Sequence, residues 1–271
     1  MSRLSLMAFW LFISVVAGMA AVRDGESQPD PRDADSRLEL RAGGIIRGPK
    51  IEKRIALVFT GHTFAEGGET ILNELARHRA KASFFVTGDF LTNTNFQPLV
   101  RNIIKAGHYL GPHSDRHLLY CSWDRTPKTL VTKEEFLRDV RLNVDKIAQL
   151  GVAGDRVRYF LPAYEHFNEE ISDWTHESGR VLVNFTPGTR STADYTGEAD
   201  ANFVPAQAIL ESIYAAERRD RYGLNGFLLL LHIGAGPGRA DKFHARFGEL
   251  LDYLERRSYQ FSRLDELLGM K

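Results

Sequence analysis

The sequence predicts an α/β domain in which helices cover a parallel β-sheet. Short apolar or β-branched runs alternate with helical patterns along most of the chain, which is typical of parallel sheets. Several of these runs are continuously apolar, which indicates strands buried on both faces, as in a barrel or a doubly wound sheet. Polar residues follow nearly every run, at the strand ends where such folds bind ligands.

The elements can be placed in order along the chain. Seven strands are predicted, at residues 55–60, 82–86, 108–111, 158–161, 181–185, 226–231 and 259–262. Apolar residues at helical spacing predict helices at 69–79, 132–150, 206–222 and 241–257. Pro205 opens the third of these helices and Gly223 ends it. Because the strands are parallel, residues from sequence-distant loops are expected to form one site.

The first 50 residues differ in composition from the rest. Residues 1–20 carry one early charge at Arg3, then an apolar run and small residues, which predicts a signal peptide cleaved after Ala20. The mature protein is then expected to be secreted or periplasmic, with no stable membrane insertion. Residues 21–50 are rich in Asp, Arg, Gly and Pro and predict a flexible linker. The folded domain is predicted at residues 51–271.

Charge and cysteine content exclude several functions. The 271 residues contain 35 Lys+Arg and 35 Asp+Glu, so the net charge is zero. A neutral chain lacks the basic surface that nucleic acids require, and no nucleic-acid partner is expected. Cys121 is the single cysteine; it cannot form an internal disulfide and has no zinc-type spacing.

Three histidines after predicted strands are candidate metal ligands. His113 and His117 are four residues apart, so on one helical turn both rings would point the same way and share a cation. His62, just past the first strand, is the candidate third ligand. Three imidazoles and one open position suit zinc with a bound water, whose pKa the metal lowers towards about 7. The alternative for each is a solvent-facing loop histidine.

His232 ends an apolar run and is a candidate general acid, because imidazole is protonated near neutral pH. A buried structural histidine is the alternative. Aromatic residues at the same edge of the sheet could stack on sugar rings. They are Tyr164, Phe167, Phe185 and Tyr195, of which the two phenylalanines are expected to pack in the core.

Taken in order, these segments resemble the polysaccharide deacetylase family, the NodB-homology carbohydrate esterases. The resemblance covers residues 51–268. It depends on the first strand with the helix and strand that follow it, on His113-Ser114-x-x-His117, on Pro162-Ala163-Tyr164, and on Leu230-Leu231-His232. It implies a distorted (β/α)7 barrel, a divalent metal, usually zinc, and removal of acetyl groups from N- or O-acetylated sugars.

The chain departs from the family pattern at two linked positions. Family members carry two adjacent aspartates after the first strand, a base and a metal ligand, where this chain has Thr60-Gly61-His62. The arginine that normally precedes the proline of the proline-tyrosine loop is replaced by Leu161. A buried arginine without its carboxylate would cost several kcal/mol, so loss of both together is physically consistent. The chain is similar to a divergent secreted branch of the family, in which an acid would be expected at position 62.

The leading hypothesis is therefore a zinc-dependent deacetylase acting on acetylated poly- or oligosaccharides. His62, His113 and His117 would hold the metal, and His232 would protonate the leaving group. Asp115 and Glu66 are the candidate bases, and Tyr164, Pro162 and Asn184 the candidate substrate or oxyanion contacts. A second hypothesis is a carbohydrate-binding pseudoenzyme, motivated by the missing base. A glycosidase with paired carboxylates is disfavoured because the strand ends carry histidines.

Overall fold

The computed structural model describes residues 38–269 and shows an α/β fold with a parallel central sheet. The predicted signal peptide, residues 1–20, lies outside this range. The seven predicted strands are all present, and two further strands precede them. The strands are β1 (Glu39–Arg41), β2 (Gly44–Arg47), β3 (Arg54–Gly61), β4 (Ser83–Val86), β5 (Tyr109–Pro112), β6 (Tyr159–Phe160), β7 (Val181–Leu182), β8 (Leu228–His232) and β9 (Gln260–Ser262).

Helices follow most of the strands, as the alternating pattern predicts. They are α1 (Gly68–Arg77), α2 (Gly88–Thr92), α3 (Gln97–Lys105), α4 (Lys133–Gln149), α5 (Glu169–Glu177), α6 (Ala206–Arg219), α7 (Phe247–Arg256) and α8 (Leu264–Leu268). Short 3-10 turns lie at Gly154–Arg156, Ala163–Glu165, Ser191–Ala193 and Phe243–Arg246. In residues 38–269, no helix combines the length and apolar character needed to cross a membrane.

Backbone contacts connect the strands into a distorted barrel. β3 pairs in parallel with β4 and β8, β4 pairs with β5, and β6 pairs with β7. The Leu161 N–H donates to the Pro112 carbonyl at 3.2 Å and joins β5 to β6. β9 pairs only with the first residues of β3. The carboxyl ends of β3, β5 and β8 therefore meet at one mouth, as the sequence predicts.

The prediction of a flexible linker at residues 21–50 is wrong for its last part. β2 is buried along its length, and it fills the gap between β7 and β8. A bridge links Ile45 to Val183, and another links Arg47 to Phe227. The Arg47 guanidinium, 6% exposed, pairs with Asp220 at 2.7 Å. A charged side chain buried in this way requires a fixed partner, so the folded domain begins before residue 51.

β3 is buried on both faces, as its continuous apolar run predicts. Ile55, Leu57 and Phe59 face the layer between the sheet and the helices, where Phe59 stacks on Phe84 at 5.1 Å. Ala56 and Val58 point into the barrel interior, against residues of β8 and the β6 region. Because side chains alternate along a strand, this double burial fixes the register of β3 and the direction in which the residues after it point.

Candidate active site

A cavity of about 260 Å³ opens at the carboxyl ends of β3, β5 and β8. It contains six of the residues that the sequence singles out for function. The lining residues are Thr60, Gly61, His62, Thr63, Phe64, His113, His117, Trp123, Tyr164, Glu165, Tyr195, His232 and Gly234. Glu165 is the one carboxylate among these lining residues. The structure therefore brings the predicted histidines together and adds an acid that sequence reasoning did not single out.

His113 is held in a defined orientation at the end of β5. Its Nδ1 lies 2.9 Å from the Leu161 carbonyl, which can only accept, so Nδ1 carries the hydrogen. The Nε2 lone pair is then the one directed away from the backbone, into the cavity. The His113 N–H donates to Asn143 Oδ1 on α4 at 2.8 Å, and the side chain is 2% exposed.

The segment that carries His113 and His117 is a loop rather than the helical turn assumed from their spacing. Ser114 and His117 adopt left-handed backbone angles, with φ of 72° and 53°, which helical residues do not have. Asp139 on α4 fixes this loop, because its carboxylate accepts from the Asp115 N–H at 2.9 Å and from the Tyr120 hydroxyl at 2.6 Å. Both rings reach the cavity through this loop geometry.

Helix α4 begins at a capping box that fixes its position. Thr132 accepts from the Glu135 N–H at 3.2 Å, and Glu135 accepts from the Thr132 N–H at 2.7 Å. Asp139 and Asn143 then lie one turn apart on the buried face. The sequence signal for them was available: two polar residues interrupt the otherwise apolar face of this helix, where a buried polar group needs a partner.

The predicted three-histidine metal site does not fit the arrangement of the rings. His62 stacks face to face on His117, with centroids 4.3 Å apart and planes inclined by only 7°. An ion lies in the plane of each imidazole that binds it, so two parallel stacked rings cannot share one. His113 and His117 are inclined by 60° and do not have this conflict. His62, His113 and His117 thus share a cavity without converging as a ligand set.

Among residues 38–269, the side chains whose potential metal-ligand atoms lie within 4.8 Å of one another are His78, Asp252 and Glu255, outside the cavity. This group lies on the outer helices, where His78 Nδ1 is 2.9 Å from Glu255 and the Arg77 guanidinium is 3.2 Å from Asp252. Arg77 already pairs with Asp252, and the His78 ring contacts Glu255. The group is therefore a network of side-chain contacts between the end of α1 and α7.

The three clustered imidazoles are neutral near pH 7. Burial lowers the pKa of His113 well below its usual value, and the neighbouring His117 lowers it further. Burial, together with His62 and His232, lowers the pKa of His117 to about 3. Burial also lowers the pKa of His62. These rings therefore act as hydrogen-bonding or lone-pair groups at neutral pH, and not as cations.

His232 behaves in the opposite way, because it has an acidic partner. Its Nδ1 is 2.6 Å from Asp194 Oδ1, and its backbone N–H donates to Asp194 Oδ2 at 2.8 Å. Burial lowers the pKa of His232, but the Asp194 carboxylate, with a smaller contribution from Glu165, outweighs it and the net shift is upward. Nε2 remains available to the cavity. His232 is thus oriented as a proton donor requires, and its pKa is shifted in the direction that favours the protonated ring.

Glu165 follows Tyr164 in the loop after β6. Its side chain is 12% exposed, and Oε1 lies 3.8 Å from His113 Nε2. Burial raises the pKa of Glu165 to about 7, although the charge of His232 opposes the shift. A half-ionised carboxylate inside a cavity is a frequent property of functional acids and bases. Sequence reasoning placed this loop at the site but did not single out the acid.

Both bases proposed from the sequence lie outside the cavity. The Asp115 carboxylate is buried against Lys146 at 2.6 Å. Glu66 accepts from the Ala235 and Gly236 N–H groups at 2.9 and 2.8 Å and pairs with Lys242 at 2.7 Å. Burial raises the pKa of Glu66, but these donors outweigh it and the pKa is lowered. Each carboxylate is committed to structural contacts, so neither fits the role of base.

The predicted substrate contacts separate into one cavity residue and two supporting residues. Tyr164 lines the cavity, with its ring 4.4 Å from His117. Asn184 is fully buried and donates from Nδ2 to the Glu165 carbonyl at 2.6 Å. The Pro162 carbonyl accepts from the Glu165 N–H at 3.0 Å. Pro162 and Asn184 therefore position the loop and lie outside the cavity lining.

Close packing surrounds Gly61, the last residue of β3, and disfavours a side chain at this position. A Cβ on Gly61 would lie 2.8 Å from Ile233 Cδ1 and 3.0 Å from the Phe90 ring. Real Cβ atoms do not approach so closely, so Ile233 or Phe90 would have to move. An aspartate therefore fits position 61 only with rearrangement of the core.

Aromatic side chains surround the mouth of the cavity. Phe64, Trp123, Tyr164 and Tyr195 are between 41% and 65% exposed, and all four line it. The expectation for Phe167 is met, since it is buried in the core. Phe185 is partly buried and lines an adjoining cavity of about 350 Å³ together with Arg41. An exposed group of aromatic rings beside a cavity lined by histidines is typical of a ligand-binding surface.

A polysaccharide deacetylase family model matches residues 47–183, half of the chain. The protein belongs to the polysaccharide deacetylase family. A peptidoglycan-N-acetylglucosamine deacetylase of Bacillus cereus is 25% identical over 87% of this chain and 98% of that relative. A second relative of the same description and organism is 25% identical over 60% of this chain, which spans only 57% of that relative.

Solved structures of this family share the fold. A peptidoglycan N-acetylglucosamine deacetylase superposes with a TM-score of 0.67 and 21% identity, over 83% of this chain and 92% of that one. A CE4 family pseudoenzyme from Bacillus anthracis superposes with a TM-score of 0.64 and 18% identity, over 84% of this chain and 70% of that one. The same barrel therefore carries both a deacetylase and a pseudoenzyme.

Proposed function

We propose that this member of the polysaccharide deacetylase family is a secreted or periplasmic hydrolase that removes acetyl groups from carbohydrate chains. The observation that carries the proposal is the His232–Asp194 pair at 2.6 Å, which faces a cavity of about 260 Å³. Hydrolysis of an acetamide requires protonation of the departing nitrogen, because a free amide anion is too basic to leave. His232 supplies that proton where the cavity holds the acetyl group.

The surroundings of the cavity favour a polymer over a small acetylated molecule. A cavity of about 350 Å³ adjoins it through Trp123, Tyr164 and Tyr195, and one of about 860 Å³ adjoins it through Thr63 and Phe64. Exposed aromatic rings offer flat apolar surfaces to sugar rings. A neutral net charge suits an uncharged glycan. The relatives are named for peptidoglycan N-acetylglucosamine, so N-acetylated chains are the first substrates to test.

Deacetylases of this family are generally metal-dependent. Such an ion polarises the acetyl carbonyl and activates water. Because His62 stacks on His117, the described residues do not fit the three-histidine set, and no step is assigned to a metal. What the chain's own residues supply is a proton donor at His232, neutral imidazoles around the cavity, and an aromatic mouth.

A second candidate function is carbohydrate binding without turnover. It is favoured by one observation: no acid follows β3, where Thr60-Gly61-His62 stands. One structural neighbour is called a CE4 family pseudoenzyme, and a mutant of it is described as having restored enzymatic activity. The exposed Trp123 and Tyr195 would serve binding in either case.

One experiment separates the two functions. The purified protein is incubated with N-acetylated chitooligosaccharides, peptidoglycan fragments and acetylated xylan, and acetate release and glycan affinity are both measured, with metal content determined on the same sample. Acetate release that is lost in His232→Ala supports the deacetylase. Glycan binding with no acetate release from any substrate identifies a binding protein and contradicts the leading proposal.

A further inference from the structure

We propose that Glu165 is the catalytic carboxylate of this site and accepts the proton of the attacking water, in place of an acid after β3. The inference rests on the proposed deacetylation. It concerns the attack of water on the acetyl carbonyl. His232 donates a proton to the leaving group, and a second group is needed to accept a proton from the attacking water.

The first argument is that three other carboxylates near the site are committed. Asp115 pairs with Lys146, and Glu66 pairs with Lys242 and two backbone N–H groups. Asp194 is bound through both of its oxygens to His232. Glu165 alone among the lining residues presents a carboxylate to the cavity, and in residues 38–269 no lysine or arginine forms an ion pair with it. Its oxygens are therefore available to a water or a substrate.

The second argument is the position of the carboxylate. Oε1 lies 3.8 Å from His113 Nε2, which is longer than a hydrogen bond. Two polar groups that face each other across such a gap in a cavity can be bridged by a small polar ligand atom. His113 Nε2 is also left without its own hydrogen, because Nδ1 donates to the Leu161 carbonyl. A water held here would contact an acceptor on each side.

The third argument is that the backbone holds Glu165 in an unfavourable conformation. Tyr164 and Glu165 are consecutive residues with φ of 60° and 52°, a region that non-glycine residues rarely occupy. Asn184 Nδ2 fixes the Glu165 carbonyl at 2.6 Å, and the Pro162 carbonyl accepts the Glu165 N–H at 3.0 Å. Strain that surrounding contacts maintain in this way concentrates at functional sites, and here it aims two side chains into the cavity.

The chemistry balances with two proton-transferring groups. The water oxygen forms a bond to the acetyl carbon while one water proton passes to Glu165. The tetrahedral intermediate then collapses, the bond from the acetyl carbon to the sugar nitrogen or oxygen breaks, and His232 donates a proton to the departing atom. The products are acetic acid and the free amine or hydroxyl. Glu165 afterwards releases its proton to solvent and His232 takes one up.

The test is the isosteric variant Glu165→Gln, which keeps the shape of the side chain and removes its basicity. We expect kcat to fall about 100-fold or more, with KM and glycan affinity within about threefold of the unsubstituted protein. Glu165→Asp should have a higher kcat than Glu165→Gln, because it keeps a carboxylate. The matched control is Glu169→Gln, an exposed acid on the first turn of α5, and it should retain full kcat.

Three results would overturn the assignment. The first is a kcat for Glu165→Gln within about threefold of the unsubstituted protein. The second is loss of bound zinc in Glu165→Gln but not in Glu169→Gln, measured by elemental analysis after zinc loading, because that would make Glu165 a ligand rather than a proton acceptor. The third is an unsubstituted protein that releases no acetate from any substrate. That last result removes the proposed function itself, and it is distinguished from the other two because no variant is needed to see it.

Discussion

The two sides of the cavity are built in contrasting ways. On one side, His232 is tied to Asp194 by two contacts of 2.6 and 2.8 Å, and its pKa is raised. On the other side, His62 and His117 stack at 4.3 Å, and the pKa of His117 falls to about 3. One side has a carboxylate that favours protonation of an imidazole. The other has imidazoles whose burial disfavours protonation, and in His117 the neighbouring His62 adds to that effect.

This contrast separates the two halves of the proposed reaction, protonation of the leaving group and activation of water. Protonation of a leaving group needs an oriented, cationic imidazole, and the His232 side supplies it. Activation of water needs a proton acceptor or a metal, and the stacked side lacks the acid that the family pattern has at the end of the first strand. The two departures from the family pattern described above, at Thr60-Gly61-His62 and at Leu161, both concern the water-activating half of the proposed reaction.

The largest effect is expected from His232→Ala. Removing the proton donor should lower kcat for acetate release about 100-fold or more, because the leaving nitrogen then has to take its proton from water. Steady-state kinetics on an N-acetylated oligosaccharide measure the change. If kcat persists in the variant, the protonating role belongs to another group and the contrast between the two sides is lost.

Asp194→Asn should have a smaller and pH-dependent effect. Since Asp194 raises the pKa of His232, its removal lowers that pKa, and the protonated fraction needed for catalysis is lost at a lower pH. The alkaline limb of the kcat/KM profile should move to lower pH. Each unit of pKa lost changes the protonated fraction by up to about tenfold above the pKa. A profile that keeps its alkaline limb would show that Asp194 does not control His232.

Gly61→Ala should be destabilising without directly removing any polar group of the cavity. The added Cβ would lie 2.8 Å from Ile233 Cδ1, and overpacking of this kind costs about 1–3 kcal/mol. Denaturant unfolding measures the free energy. Gly154→Ala is the control, since its Cβ would meet nothing within 4 Å. Equal stability of the two variants would mean that packing does not exclude an acid from position 61.

The smallest effect is expected from His62→Ala. The ring is stacked on His117 and its Nδ1 lies 3.2 Å from Thr87 Oγ1, so its removal should leave zinc content and kcat within about threefold of the starting protein. Elemental analysis after zinc loading and kinetics on the same sample provide the readout. Loss of one equivalent of zinc would restore His62 to the ligand set predicted from the sequence.

The barrel strands could be predicted because parallel strands leave a local signal. Runs such as 55–60 and 226–231 are continuously apolar, and polar residues follow them in sequence, so the edge that carries the cavity follows from pattern alone. The strand β2 was missed because Gly44–Arg47 is short and lies in a polar, glycine-rich stretch. Its burial depends on partners at β7 and β8 that are far away in the chain.

The site was only partly predictable for the same reason. His113 and His232 were found because they end strands. Asp194 and Glu165 lie in loops, and their roles depend on distances to His232 and His113 that no local pattern encodes. The stacking of His62 on His117 is likewise a tertiary property. Residue type and position predicted which groups would meet, and side-chain orientation decided what they can do.

The strand β2 pairs with segments that are far away in the sequence, so it can join the barrel only after those segments are present. Arg47 Nε donates to the Asn225 carbonyl at 2.9 Å across a separation of 178 residues, and the Gly48 N–H donates to the Gly226 carbonyl at 2.7 Å. Contacts between such distant segments require closure of a long loop before they stabilise anything. During synthesis on the ribosome, β2 emerges long before its partner β8, so its edge stays unpaired until most of the domain has been made.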